Sequence, residues 1–194
     1  MPADRVFLAS APAFQGVALS QRSSRTMRKK LRFDVKRFVA AEPETVFATV
    51  ADIPDWPSVL TSVEAIEILT PGPLRPGTRF RETRTMFGRT STQEMEIVEI
   101  EIPNRLRIAS QNPDLLYELD HIIDAVEGGS RLMLVFRSKA ISLAGEGLLP
   151  LASPFLEIRL RDELEQDLHE FASAVPVTVT ARRRFDGKDD EEES

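Results

Sequence analysis

Apolar and polar positions alternate, lengthen their period, then alternate again along this chain. Leu31, Phe33 and Val35 alternate with polar residues, and Phe38 and Val39 follow, which predicts a first strand. Pro43 then opens a short helix carrying Val46, Phe47 and Val50. Asp52 is placed to cap a second short helix through Pro54 and Trp56, ended at or soon after Pro57. From there almost every segment has period two. Strands are predicted over 62–70, 78–87, 90–102, 105–110, 115–126 and 130–139. The run PGPLRPG over 71–77, the pair Pro103-Asn104 and two hairpin signals, Gly88-Arg89 and Gly128-Gly129, separate them. In the strand over 90–102 the apolar face switches: Met95 and Ile97 are odd, Val98, Ile100 and Ile102 even. One extra residue does this, so a bulge that bends the sheet is predicted there.

A loop over 142–152 leads into the last element, a helix predicted over 153–175. Ser153 suits its N-cap, Pro154 its first position and Glu157 its positive first turn, while Pro176 cannot continue it. At that length the helix spans about 33 Å, enough to cross a small domain. Leu156, Leu160, Leu164, Leu168, Phe171, Ala172 and Val175 recur at steps of three and four and form one stripe. Glu157 and Arg161 fall inside that sector, about 100° and 140° round from Leu156, in the first half only. The second half should plug a core and the first overhang a cavity. His169 falls outside the stripe and should be solvated. The order β–α–α–β₆–α, without repeats or strand–helix alternation, makes the class α+β.

Period two also assigns faces. Over 115–126 the odd residues Leu115, Tyr117, Leu119, His121, Ile123 and Ala125 should point inward, and Glu118, Asp120 and Asp124 outward. Leu132, Leu134, Phe136 and Ser138 share an inner face, with Arg131, Arg137 and Lys139 outside. Phe80 and Met86 bring Glu82 and Arg84 to the inner face, where charges need partners. Trp56 reads as helix-to-sheet packing.

The 194 residues carry a net charge of −6, unevenly spread. Residues 1–37 hold +7, residues 182–194 hold −2 and the remainder −11. An acidic body lacks the basic footprint of nucleic-acid binding. With no cysteine there is no disulfide or thiolate. Two distant histidines give no metal-site spacing and no phosphate-binding glycine motif is present, so neither metal nor cofactor is expected. Residues 1–30 are rich in Arg, Ser and Ala, a disordered or transit-like leader unless Met27 is the true start. Residues 176–194 read as a charged, unfolded tail. No apolar run is long enough for a membrane span, and the expected compartment is cytoplasmic, with organellar import through the leader the alternative.

The segments VKRFVAAEPETVFATVADIPDWPSVL, LRPGTRFRETRTMFG and EMEIVEIEIPNRLRI, with the Leu-spaced terminal helix, carry a family resemblance. Over about residues 31–175 the chain resembles the START-like, SRPBCC-type superfamily, in its polyketide cyclase/dehydrase and lipid-transport branch. The resemblance implies a helix-grip fold: a curved antiparallel sheet around a long C-terminal helix, with an apolar cavity between them. It also implies binding or transport of a hydrophobic small molecule: a lipid, an isoprenoid quinone or a polyketide-like aromatic. The residues expected to line the cavity are Phe80, Glu82, Arg84, Met86, Met95, Tyr117, Leu119, His121, Phe136, Glu157, Leu160, Arg161 and Leu164. Two other readings stay open: a cyclase/dehydratase-like enzyme with His121 as its candidate acid or base, and a protein-binding module with a protein partner.

Overall fold

The structure is a computed structural model that describes residues 30–113, 115–142 and 154–176, the side chains of 154–156 excepted. The leader, the charged tail, most of the loop before the last helix and the Ser153 cap lie outside the described residues. In chain order come β1 (Lys30–Val39), α1 (Pro43–Ala51), a 3-10 turn (Ile53–Asp55) and α2 (Trp56–Val59). Six strands follow: β2 (Val63–Ile68), β3 (Arg79–Met86), β4 (Arg89–Glu101), β5 (Arg105–Gln111), β6 (Leu115–Val126) and β7 (Gly129–Ala140). The last element is α3 (Pro154–Ala174).

The strands form one antiparallel sheet in the order β1-β7-β6-β5-β4-β3-β2, so β1 and β2 are its edges. Its inner face wraps α3, as the helix-grip arrangement requires. Phe33, Val35, Ile123, Leu132 and Leu134 from the sheet, Val46 and Val50 from α1, and Leu164, Leu168 and Phe171 from α3 meet in one buried cluster. The stripe read from the sequence is thus the face that α3 buries, and its second half fills the core. α3 lies along β1: Arg161 Nη1 donates to the Asp34 carbonyl at 2.7 Å, and about two turns later Arg37 Nη1 sits 2.9 Å from His169 Nδ1. His169 is exposed, as expected. At the far end, the Thr61 amide and hydroxyl donate to the Glu170 carboxylate at 2.9 and 2.6 Å, which ties the α2–β2 junction to α3.

The bulge falls where the pattern predicts it. Ile97 pairs with Ile108 but Glu99 with Arg107, so Val98 is the extra residue. Both hairpin turns fall one residue earlier than predicted. Met86 pairs with Arg89, leaving Phe87-Gly88 as the turn, with φ 54° and 73°. Two positive φ values are the mark of the primed turn that matches strand twist. The Arg159 guanidinium lies 5.2 Å above the Phe87 ring and fixes this tip to α3. Val126 pairs with Gly129, so Gly129 is a strand residue. It is glycine because a Cβ there would collide with the Val39 carbonyl and meet Ala40 Cα at 3.1 Å.

Four further expectations need correction. Asp52 makes no side-chain cap bond, although α2 does end soon after Pro57, at Val59. α3 stops at Ala174, one residue early. Ala125 is exposed because the end of β6 runs past the core. Asp120, assigned to the outer face, is on that face but wholly buried. Arg105, Arg107 and Arg137 from the flanking strands close over it, with Arg105 Nε and Arg107 Nε at 3.1 and 2.6 Å. Burial alone would raise the Asp120 pKa; the three guanidinium hydrogen bonds outweigh it and hold the carboxyl well below its ordinary range.

Candidate functional site

Between the sheet and the middle of α3 lies a cavity of about 190 Å³. Strands β3 to β7 supply its curved wall through alternate residues: Glu82, Arg84 and Met86; Gln93 and Met95; Ile108; Tyr117, Leu119 and His121; Leu134 and Phe136. α3 closes it with Leu160, Leu164, Asp167 and Phe171, and α2 with Trp56 and Leu60. The curvature that opens this space follows from sheet twist and the Val98 bulge. The lining is apolar apart from a few polar groups, the composition of a small-molecule site.

One polar group is a buried charge cluster. Arg84 Nη2 donates to Asp167 Oδ2 and to Ser62 Oγ, each at 2.7 Å, and Ser62 Oγ donates to Asp167 Oδ1 at 3.0 Å. Arg84 Nε lies 2.9 Å from Glu82 Oε1 but makes no well-aligned hydrogen bond. The side chains are 15% exposed for Arg84, 7% for Glu82 and 5% for Asp167, so two acids share one guanidinium out of water. Burial pushes the Glu82 carboxyl above its ordinary range; Arg84 pulls it back and Asp167 adds to the rise.

The other polar groups are held neutral. Burial pushes the Tyr117 hydroxyl up to about 12. Its partner in the cavity is a weak acceptor, Met95 Sδ at 3.7 Å. Burial takes His121 down to about 4, against a hydrogen bond between Nδ1 and the Leu106 carbonyl at 3.3 Å. The His121 ring is boxed by Trp56 and Phe171, each at 5.9 Å between centroids. Trp56 also donates from Nε1 to the Val50 carbonyl at 3.0 Å, so it packs helix to sheet and lines the cavity as well.

The structure gathers Glu82, Arg84, Met86, Met95, Tyr117, Leu119, His121, Phe136, Leu160 and Leu164 on this cavity. It places three expected residues elsewhere. Phe80 is fully buried behind the wall, its ring 5.9 Å from Trp56. Glu157 and Arg161 form an i,i+4 pair at 3.7 Å on the β1 side, with the Arg161 guanidinium 5.0 Å above the Phe33 ring. They are part of the clasp on β1, and the cavity faces the middle of α3 instead of its first half. Sequence reasoning missed Asp167, although it lies about 20° from Leu156 on the helical wheel, an acid inside the apolar sector. Gln93, Leu60 and Ile108 carried no such signal, since each needs the sheet register to be placed.

Among the described residues no helix is long and apolar enough to cross a membrane. No curated protein matches the chain in sequence. Solved structures do match in fold. The Zhui aromatase/cyclase of a Streptomyces species is 16% identical, with TM-score 0.60 over 75% of this chain and 93% of that one. A START superfamily protein of Mycobacterium smegmatis is 17% identical, with TM-score 0.57 over 75% and 96%. A Thermus thermophilus protein is 22% identical, with TM-score 0.61 over 75% and 97%. These share the helix-grip fold. Residues 30–175 match the model of the family described as polyketide cyclase / dehydrase and lipid transport, and the chain belongs to that family.

Proposed function

We propose that the protein binds or carries an apolar small molecule in the cavity between sheet and α3. The observation that carries this reading is an apolar-walled space of about 190 Å³ in an otherwise closed core, with a buried charge cluster in its wall. Family membership supports it, since hydrophobic ligands and polyketide-type substrates are the range that the family description covers. The volume narrows the choice. A cavity of about 150 Å³ takes a benzene ring, so a compact aromatic suits this one better than an extended acyl chain. A polyketide-like aromatic fits best and a quinone ring next. Native mass spectrometry of protein from its own host tests this: a bound small molecule that leaves on denaturation is expected. A bare mass, together with no uptake of an apolar fluorophore, overturns the reading.

A second reading, a cyclase/dehydratase-like enzyme, is favoured by one arrangement: Glu82, Tyr117 and His121, three groups able to hold or pass a proton, face the same enclosed space. In that reading His121→Phe abolishes turnover of a cyclisable substrate while binding survives. Unchanged turnover removes His121 from the chemistry.

A further inference from the structure

Among the described residues that line the cavity, Arg84 is the one cation, and its charge is already engaged. Asp167 and Ser62 occupy Nη2, and Glu82 stands beside Nε. Two acids to one base leave this wall either one negative charge in excess or with one carboxyl protonated. An entering carboxylate or phosphate therefore meets two acids and a guanidinium already shared between them, at a largely apolar wall where repulsion is stronger than in bulk water. Glu82 is the acid that escapes good pairing: its neighbour Arg84 Nε is misaligned, and its carboxyl faces the cavity. With two buried acids to one guanidinium, a proton on Glu82 removes the excess charge, and a protonated carboxyl donates a hydrogen bond. Tyr117 is a second donor: Ser110 bonds its hydroxyl from the neighbouring strand, and the acceptor it meets in the cavity is the weak Met95 thioether, which a ligand oxygen replaces. Together they offer two donors to a ligand oxygen that accepts.

We propose that this cavity selects an uncharged aromatic ligand carrying a carbonyl oxygen, with the Glu82 carboxyl and the Tyr117 hydroxyl as its donors, and rejects ligands bearing a carboxylate or phosphate. The inference rests on the cavity being a binding site. It adds the head group that the site accepts.

Three probes of equal shape separate the outcomes: 2-acetylnaphthalene, 2-naphthoate and 2-naphthylmethylammonium. Trp56, the single tryptophan of the chain, lines the cavity, so its emission reports their binding. The ketone is expected to bind the full chain at least about tenfold more tightly than the naphthoate. Glu82→Gln keeps a donor and should hold ketone affinity within about threefold, whereas Glu82→Ala should lose about tenfold. Ketone affinity of the parent protein should fall as pH rises, and that of Glu82→Gln should not. Facing Glu82 are Arg84 beside it, Asp167 from α3 and Tyr117 and His121 from β6, with Glu163 acting on Arg84. Naphthoate binding as tightly as the ketone overturns the proposal, and so does tighter binding of the ammonium probe, which would mark Glu82 as a charged partner. Binding of none of the three overturns the binding reading itself.

Discussion

Arg84 is the one guanidinium beside two buried acids, and removing it leaves the Asp167 carboxylate without its aligned partner. Arg84→Met should destabilise the protein by about 3–5 kcal/mol, the cost of breaking a buried ion pair from one side. Glu82→Gln should cost far less, because Glu82 already stands without a well-aligned partner. Urea unfolding of the two variants at neutral pH checks the order. Two neighbouring residues on β6 set the acid response. His121 has its pKa moved down to about 4, so as pH falls from its ordinary value towards that point the unfolded chain takes up a proton that the native one refuses. Stability should drop by up to about 3 kcal/mol over that interval, and His121→Phe should flatten it. Asp120 acts in a lower window. Its carboxyl is held below its ordinary range, so its contribution is complete above about pH 4 and is lost as pH falls further. Asp120→Asn should flatten that lower limb alone. Unfolding midpoints across the two windows separate the residues.

Glycine at two hairpins serves two different ends. At Gly88 nothing stands within 4 Å of an added Cβ, so Gly88→Ala costs only the left-handed backbone, about 1–2 kcal/mol. At Gly129 the obstacle is the backbone of the segment that follows β1, which cannot step aside. Gly129→Ala should cost more, about 2–3 kcal/mol, and loosen the β1–β7 pairing. Thermal unfolding of both variants, with amide exchange on β1, tests the ranking. Elements of this kind were largely legible from period alone. The strand order along the chain, the Val98 bulge and the buried face of α3 all follow from which positions are apolar. The turns slipped by a residue because a glycine pair signals a tight bend without saying which glycine the bend needs. Asp120 was misjudged because its cover comes from arginines on two other strands, a fact of register. Asp167 was legible and overlooked, while its pairing with Arg84 was not, since that depends on where α3 sits against β3.

At the scale of the molecule, the cavity is a stability deficit with a use. At about 24 cal/mol per Å³, an unfilled space of this size costs on the order of 4–5 kcal/mol. A ligand that fills it should return part of that cost. At a hundredfold excess over its dissociation constant, a ligand stabilises by about 2.7 kcal/mol. That should raise the melting temperature by roughly 5–10 °C for a domain of this size. A thermal shift with the naphthyl ketone measures it, and Leu164→Trp, which fills the space from α3, should raise the melting temperature of the empty protein and abolish the shift. Sequence periodicity foretold that a cavity would exist; its charge balance emerged only when helix and sheet were set together.

The two rims of the sheet differ in sign. β1 displays Lys30, Arg32, Lys36 and Arg37, whereas β2 carries Glu64 and Glu67 and no base. Copies approaching basic rim to basic rim, or acidic to acidic, repel one another. The attractive approach is basic to acidic, a head-to-tail contact that does not close on itself and so would grow into open fibres. Arg161, reaching from α3 to the Asp34 carbonyl, occupies one acceptor of the basic rim, so a strand adding there would have to displace that contact.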